Sequence, residues 1–126
     1  MGTLLDTSVL IDLERGRATL PAEEDVAIAA ITASELLQGV LRADARHRPA
    51  REAFVEGVLA AIPTIPFSLT TARIHASLWA QLASRRATLG AHDLIVAATA
   101  ISLGWSLATL NRREFERVPG LELRRQ

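Results

Sequence analysis

Hydrophobic residues along this chain form short apolar runs that alternate with stretches of helical spacing. The runs that predict strands are residues 3–5, 26–31, 63–67, 107–110 and 121–123. Between them, apolar residues recur every three or four positions, which is typical of amphipathic helices. Pro63 and Pro66 predict that the third strand lies at a sheet edge. Proline lacks the backbone N–H that a central strand donates to a neighbouring strand, so it is tolerated mainly at edges. The pattern predicts an α/β fold around a mostly parallel sheet of four to five strands.

Five helices and a short helical turn are predicted between these strands. The first begins after Thr7 and Ser8 and ends at Gly16, the second begins at Thr32, and the fourth begins near Thr70. The third carries apolar residues from Phe54 to Ile62, and the fifth begins at Asp93 and is apolar over residues 94–103. The short turn covers residues 112–117. Residues 42–51 are polar and basic around Pro49 and predict a loop. Because no repeat or linker interrupts the pattern, we expect residues 1–126 to form a single domain.

Composition excludes several classes of chemistry. The 126 residues are 49% hydrophobic and 22% charged, which is ordinary for a globular protein and not for a disordered one. No cysteine is present, so disulfides, zinc–thiolate sites, iron–sulfur clusters and a cysteine nucleophile are excluded. All 14 basic residues are arginine, which excludes a P-loop lysine and Schiff-base chemistry. The 14 acidic residues balance them, so net charge provides no general attraction to nucleic acid or lipid.

Targeting and membrane signals are weak in this sequence. The residues before Asp6 contain neither a basic region nor a long apolar run, so no signal peptide is predicted. The uncharged window from Leu94 to Asn111 has the length of a short membrane span, but Gly104 interrupts it. We therefore expect a cytoplasmic protein without a membrane segment.

Certain polar residues follow the predicted strands. Asp6 comes directly after the first strand, and Glu35 lies in the first turn of the second helix. Asp93 begins the most apolar helix, and Asn111 and Glu114 follow the fourth strand. In an open parallel sheet, the carboxyl ends of strands and the amino ends of helices border one crevice, where such folds bind ligands. The pattern therefore predicts that acids distant in sequence meet in one pocket.

Each of these residues also has a local explanation. Asp6 is a preferred residue for capping the first helix. Thr32 and Glu35 have the spacing of a capping box. Asp93 is placed to complement a helix dipole. Glu114 can instead be a solvated acid on a short helix. Asn111 can instead be an ordinary turn residue.

Taken together, the acids indicate a cation site. Crowded carboxylates repel one another and take up protons or a positive ion. Oxygen ligands without cysteine or suitably spaced histidine suit Mg²⁺ or Mn²⁺. Such ions lower the pKa of a bound water and stabilise charge on a phosphoryl group. The sequence therefore predicts metal-dependent phosphoryl chemistry and leaves the substrate open.

Four segments resemble the motifs of PIN-domain ribonucleases, in particular the VapC toxins of toxin–antitoxin pairs. In chain order they are residues 4–11 (LLDTSVLI), 31–36 with Gly39 (ITASEL), 90–100 (GAHDLIVAATA) and 107–120 (LATLNRREFERVPG). The resemblance covers essentially the whole chain. It implies a PIN-like three-layer sandwich and a Mg²⁺-dependent endoribonuclease that cuts RNA phosphodiester bonds, with Mn²⁺ as a substitute metal.

The same resemblance implies roles for individual residues. Asp6, Glu35 and Asp93 are the expected acidic residues of the metal site, with Asp6 and Asp93 as the main ligands. Glu35 is expected either to contact the metal through water or to orient the nucleophile. Ser8 and Thr109 are the expected supporting residues.

The chain departs from the family pattern at one position. The family often has a fourth acid where Asn111 stands. Either the Asn111 carbonyl oxygen or the carboxylate of Glu114, one helical turn later, is expected to replace it. The departure bears on a second metal ion more than on the first.

Partners are implied by the resemblance as well. It implies a VapB-type antitoxin that lays a helix or tail across a groove of the toxin, often with an arginine in the acidic pocket. It also implies a homodimer and a toxin–antitoxin hetero-oligomer. The basic cluster of Arg42, Arg46, Arg48 and Arg51 has two open explanations, phosphate contact and a solvated loop.

The fourth helix carries a second feature with two explanations. Its apolar stripe of Ile74, Leu78 and Leu82, with Trp79, fits either the core or an interface. His75 and Trp79 are expected to be neighbours on the helix surface. The three histidines have no metal-ligand spacing.

Two other functions compete with the nuclease. An aspartyl phosphatase normally has a second aspartate two positions after the first, where this chain has Ser8. A catalytically degenerate PIN-like module that binds RNA or protein is favoured by Asn111.

Overall fold

The computed structural model describes residues 1–125 and contains four strands and six helices within that range. The strands are β1 (Gly2–Leu5), β2 (Asp25–Ala29), β3 (Thr64–Ile65) and β4 (Ser106–Ala108). The helices are α1 (Thr7–Glu14), α2 (Ala30–Arg42), α3 (Arg48–Ala61), α4 (Leu69–Ser84), α5 (Ala91–Leu103) and α6 (Arg112–Phe115).

The four strands form one parallel sheet in the order β3-β2-β1-β4. The predicted edge position of the third strand is confirmed. The chain leaves β1 toward β2 and β3 on one side, whereas β4 pairs on the other side. The strand order therefore reverses between β1 and β4, and such a switch point opens a crevice at the carboxyl ends of the strands.

Helices cover both faces of the sheet, which confirms the predicted three-layer sandwich. Leu4 lies in a core cluster with residues of α4 and α5. Its neighbour Leu5 lies in a second cluster with residues of α1, α2 and α3. Side chains that alternate along a strand point to opposite faces, so β1 contributes to both cores. Within residues 1–125, no helix is long and apolar enough to cross a membrane.

The structure corrects several predicted boundaries. α2 begins at Ala30 rather than Thr32, and α3 begins at Arg48 rather than near Phe54. Residues 48–51 are therefore helical and not part of a loop. Pro49 lies in the first turn of α3, where its missing N–H has no partner to lose. The predicted last strand is reduced to a single bridge between Leu107 and Leu123.

Candidate metal centre

Asp6 follows β1 at the switch point, and its side chain is only 3% exposed. Ser8 Oγ and Thr109 Oγ1 each donate to Asp6 Oδ2 at 2.8 Å. Each hydroxyl also accepts a backbone N–H at 3.0 Å, Ser8 from Leu110 and Thr109 from Asn111. Because a hydroxyl has one proton, these N–H donors direct both protons to the same carboxylate oxygen.

The alternative role of Asp6 as a helix cap is wrong for its side chain. Asp6 occupies the N-cap position of α1, but its carboxylate makes no capping hydrogen bond. No hydrogen bond from residues 1–125 reaches Oδ1, and no cationic side chain in that range pairs with Asp6. A buried carboxylate without a counter-charge is costly. This position therefore favours a cation.

Glu35 connects three helices. Its Oε1 accepts a hydrogen bond from Thr7 Oγ1 in α1 at 2.7 Å. Its Oε2 lies 3.3 Å from His92 Nδ1 in α5, and the imidazole is the donor because a carboxylate only accepts. Both oxygens of Glu35 are thus engaged by neighbouring side chains.

The capping-box interpretation of Thr32 and Glu35 is wrong. The N-cap of α2 is Ala29, so Thr32 lies inside the helix and Glu35 lies in its second turn. Thr32 is completely buried, and its Oγ1 has no hydrogen-bond partner among the described residues. Glu35 is therefore directed away from its own helix start and toward α1 and α5.

Asp93 is in the first turn of α5, as predicted, and is half-buried. Burial raises the pKa of its carboxyl, and the nearby carboxylates of Asp6, Glu35 and Glu114 raise that pKa further, while His92 opposes the shift. The four predicted acids therefore share one electrostatic neighbourhood. This neighbourhood carries an excess of negative charge.

The acids are close without forming a closed cage. Among residues 1–125, no three carboxylate or histidine side chains converge tightly enough to enclose one metal ion. The groups present still fit a hard divalent cation, since they are carboxylate oxygens around a repulsive, partly buried position. The set of direct ligands stays a prediction.

Asn111 and Glu114 differ in what they contribute. Both are exposed, and Asn111 makes no side-chain cap for α6. Of the two, only Glu114 is charged, and its negative charge helps to raise the pKa of Asp93. The structure thus brings Glu114 into the electrostatic neighbourhood of the site, and Asn111 contributes its backbone N–H to Thr109.

Two contacts in the centre escaped sequence reasoning. Thr7 was placed only at the start of the first helix, yet its hydroxyl donates a hydrogen bond to Glu35. His92 had no metal-ligand spacing, and its only sequence signal is that it directly precedes Asp93.

The arginine cluster divides into structural and solvent-facing members. Arg48 donates to the carbonyl oxygens of Leu41 and Ala43 at 3.0 Å, at the end of α2. Arg51 Nε pairs with Glu14 Oε2 at 2.7 Å. These contacts give two of the four arginines a role in joining helices.

The apolar stripe of α4 belongs to the core at Leu78 and Leu82, which are buried. Ile74 packs against the same cluster. Trp79 differs, because its side chain is 64% exposed. His75 and Trp79 are neighbours, as predicted, with ring centroids 6.3 Å apart in an edge-to-face arrangement.

Comparison with known proteins places this fold. The sequence model of the PIN domain matches residues 3–121. The chain belongs to the PIN domain family. This PIN domain is 37% identical over 127 residues to Ribonuclease VapC of Rickettsia bellii. The aligned region covers 98% of this chain and 95% of that protein.

Two further relatives come from Salmonella typhimurium. The tRNA(fMet)-specific endonuclease VapC is 35% identical over 97 residues, which covers 76% of this chain and 71% of that protein. The structure of DNA-bound VapBC superposes with a TM-score of 0.89 at 27% identity and covers 98% of this chain and 97% of that chain. The resemblance to PIN-domain VapC proteins, stated from four motifs, is confirmed.

Proposed function

We propose that this PIN domain is a divalent-metal-dependent endoribonuclease toxin of the VapC type, which hydrolyses RNA phosphodiester bonds with Mg²⁺ and accepts Mn²⁺. The observation that supports the proposal is the negative charge around Asp93, whose pKa is raised by burial and by the nearby carboxylates of Asp6, Glu35 and Glu114. The relatives named ribonuclease and endonuclease support the same activity.

Asp6 and Asp93 are the proposed direct ligands. Ser8 and Thr109 both donate to Asp6 Oδ2, so Oδ1 is available to a cation while the carboxylate keeps its orientation. A bound divalent cation supplies an activated water and stabilises negative charge on the phosphate.

Glu35 has a different role in this proposal. Thr7 and His92 already hold both of its oxygens, which favours a contact with the metal through water or an orienting hydrogen bond to the nucleophilic water. Glu114 supplies the fourth negative charge in place of the acid that the family often has at the position of Asn111.

We also propose a VapB-type antitoxin as the partner of this chain. The superposed structure from Salmonella typhimurium is of DNA-bound VapBC, and the superposed VapBC-5 of Mycobacterium tuberculosis is a member of a family of toxin–antitoxin systems. An arginine of the antitoxin fits the charge of the site, since uncompensated carboxylates attract a guanidinium group. A homodimer within a larger toxin–antitoxin complex is the proposed assembly.

Cleavage by a site variant tests the activity. Purified wild type is expected to cut single-stranded RNA with Mg²⁺ and to stop when EDTA is added. Asp6→Asn removes a ligand without removing volume, so cleavage is expected to fall at least about 100-fold while the thermal unfolding curve stays cooperative. Asp12→Asn, on α1 outside the site, is the matched control. Unchanged turnover of Asp6→Asn would exclude the assignment.

A metal titration separates the nuclease from the inert module that Asn111 favours. Calorimetry with Mn²⁺ is expected to show binding by wild type and weaker binding by Asp93→Asn. Heat that is absent from both proteins favours a PIN-like module that binds RNA or protein without cutting.

A further inference from the structure

An apolar cavity of ≈ 340 Å³ opens between the end of α4 and the start of α5. The residues on its wall include Trp79, Leu82, Leu89, Ala91 and Leu94. Its size falls in the range of small-ligand sites. Leu78 and Leu82 already supply the buried residues of α4, so packing of the core does not require the exposed Trp79. We name this cavity the Trp79 pocket.

The loop that borders the Trp79 pocket is fixed by hydrogen bonds. Arg86 has a φ of 53°, in the left-handed region, and ends the turn after α4. The Ala87 N–H donates to the Leu82 carbonyl oxygen at 2.9 Å, which closes that turn. Arg117 donates to the Thr88 carbonyl oxygen at 2.7 Å from beyond α6. The cavity wall is therefore held in place before any ligand arrives.

The Trp79 pocket adjoins the candidate metal centre. Leu89 and Ala91 line the pocket, and Gly90 lies between them. A methyl group on Gly90 would lie 3.5 Å from Asp93 Oδ2. The pocket and the Asp93 carboxylate thus border the same three-residue segment, so one extended polymer can contact both.

Charge around the pocket suits a polyanion. Residues 57–92 contain no aspartate or glutamate, but they include Arg73, Arg85 and Arg86. Arg85, Arg86 and Arg117 are exposed beside the loop. Proteins that bind single-stranded nucleic acid combine such positive charge with aromatic side chains on which bases stack.

We propose that the Trp79 pocket is a nucleobase subsite, in which one unpaired base of the RNA stacks on Trp79 while a neighbouring phosphate lies at the metal centre. This inference rests on the proposed ribonuclease function. It adds a preference for unpaired RNA next to the cut, because a base within a helix is not free to enter the cavity.

Binding without cleavage tests the subsite. A fluorescein-labelled octa-adenylate RNA is titrated with the full chain in EDTA, and anisotropy reports the affinity. Trp79→Ala is expected to weaken binding by about 5- to 100-fold, the range for one base–aromatic stack. Trp79→Phe retains a ring and is expected to restore most of the affinity. Phe67→Ala is the matched control, since Phe67 is an exposed aromatic that contacts His75 and is not on the pocket wall.

A second series places the base. Each octa-adenylate in this series lacks one base. At one position, loss of the base is expected to weaken binding to wild type relative to the intact RNA. The same loss is expected to leave the affinity for Trp79→Ala unchanged. Thermal unfolding confirms that the variants fold, which the exposure of Trp79 favours.

Three outcomes would overturn the inference. Equal affinity of wild type and Trp79→Ala excludes the subsite and leaves the proposed function intact. A Trp79→Ala protein that sediments as a smaller species with unchanged RNA affinity assigns the pocket to a second copy of the chain. Wild type that binds no octa-adenylate in EDTA excludes the subsite, and the cleavage assay with Mg²⁺ then decides the ribonuclease separately.

Discussion

At the scale of single residues, the centre combines one strongly oriented carboxylate with one repelled carboxylate. Two hydroxyls with fixed proton directions hold Asp6. Asp93 has a raised pKa because it is partly buried and faces other acids. The first arrangement fixes the orientation of one carboxylate, and the second concentrates negative charge around another.

Removing the Thr109 hydroxyl should weaken metal binding more than removing a hydroxyl that is equally buried but lies outside the centre. Thr109→Val keeps the shape of the side chain but removes a donor to Asp6, so Mn²⁺ affinity is expected to fall about 10- to 100-fold in a calorimetric titration. Thr71→Val is the control, because Thr71 is an equally buried threonine between α4 and α5. Equal Mn²⁺ affinities for the two variants would contradict this role of Thr109.

The repulsion at Asp93 should be visible in the pH dependence of stability. The pKa of Asp93 is higher in the folded chain than in the unfolded chain, so its contribution to stability is present at low pH and is lost as the pH rises through the folded-state pKa. In EDTA, Asp93→Asn is therefore expected to be more stable than wild type at pH 7, with a difference that shrinks toward pH 3. Urea unfolding at several pH values measures it.

The control for this experiment is Asp25→Asn, an exposed aspartate at the start of β2. Adding Mn²⁺ at pH 7 should raise the unfolding midpoint of wild type more than that of Asp93→Asn. A stability difference between wild type and Asp93→Asn that does not change with pH would contradict the proposed repulsion.

At the scale of helices and strands, α2 shows how a local signal can mislead. Thr32 and Glu35 have capping-box spacing, yet the helix starts at Ala30. Thr32 is instead buried, and its hydroxyl has no hydrogen-bond partner within residues 1–125.

Replacing this hydroxyl distinguishes the two interpretations of Thr32. Thr32→Val has the same shape and removes a buried unsatisfied group, so the free energy of unfolding is expected to rise by about 1 kcal/mol. A capping threonine would instead lose about 1 kcal/mol on substitution. Urea denaturation of the two proteins measures the sign, and a less stable Thr32→Val protein would restore the capping interpretation.

The elements that the sequence predicted well are those with strong periodicity. β1, α4 and α5 followed from apolar runs and helical spacing, because these patterns report burial directly. The start of α3 was missed, because Pro49 and the arginines around it resemble a loop while also suiting a first helical turn. The electrostatic effect of Asp6 and Glu35 on Asp93 was predictable from their places at strand and helix ends, and their joint role as a metal site stays a prediction. The contacts of Glu35 with Thr7 and His92 were not, since they depend on how three helices pack.

At the scale of the whole molecule, the net charge is zero, but acidic and basic residues are concentrated in different parts of the chain. Acids gather at the switch point, whereas residues 57–92 carry only arginines among the charged types. In the proposed function, RNA approaches along these arginines and meets the acidic site through a bound cation.

This separation predicts a specific salt dependence. The Arg85→Gln/Arg86→Gln protein should bind single-stranded RNA more weakly, and the slope of log affinity against log salt should fall by about 1.4 if both arginines contact phosphate. Anisotropy titrations in EDTA at several NaCl concentrations measure the slope. Arg42→Gln/Arg46→Gln, which removes two exposed arginines from the basic cluster of residues 42–51, is the control. Identical slopes for both double variants would contradict a directed path.

The pairing of β1 with β4 also decides when the centre can exist during synthesis. Asp6 and Thr109 lie 103 positions apart, so most of the chain must leave the ribosome before they meet. A nascent chain that stops before β4 already carries Asp6, Glu35 and Asp93, and β2 can pair with β1, but the β4 side of β1 and the Thr109 hydroxyl are still missing. A product of translation truncated before β4 therefore cannot orient the Asp6 carboxylate through Thr109, and the candidate centre is complete only after nearly the whole polypeptide has been made.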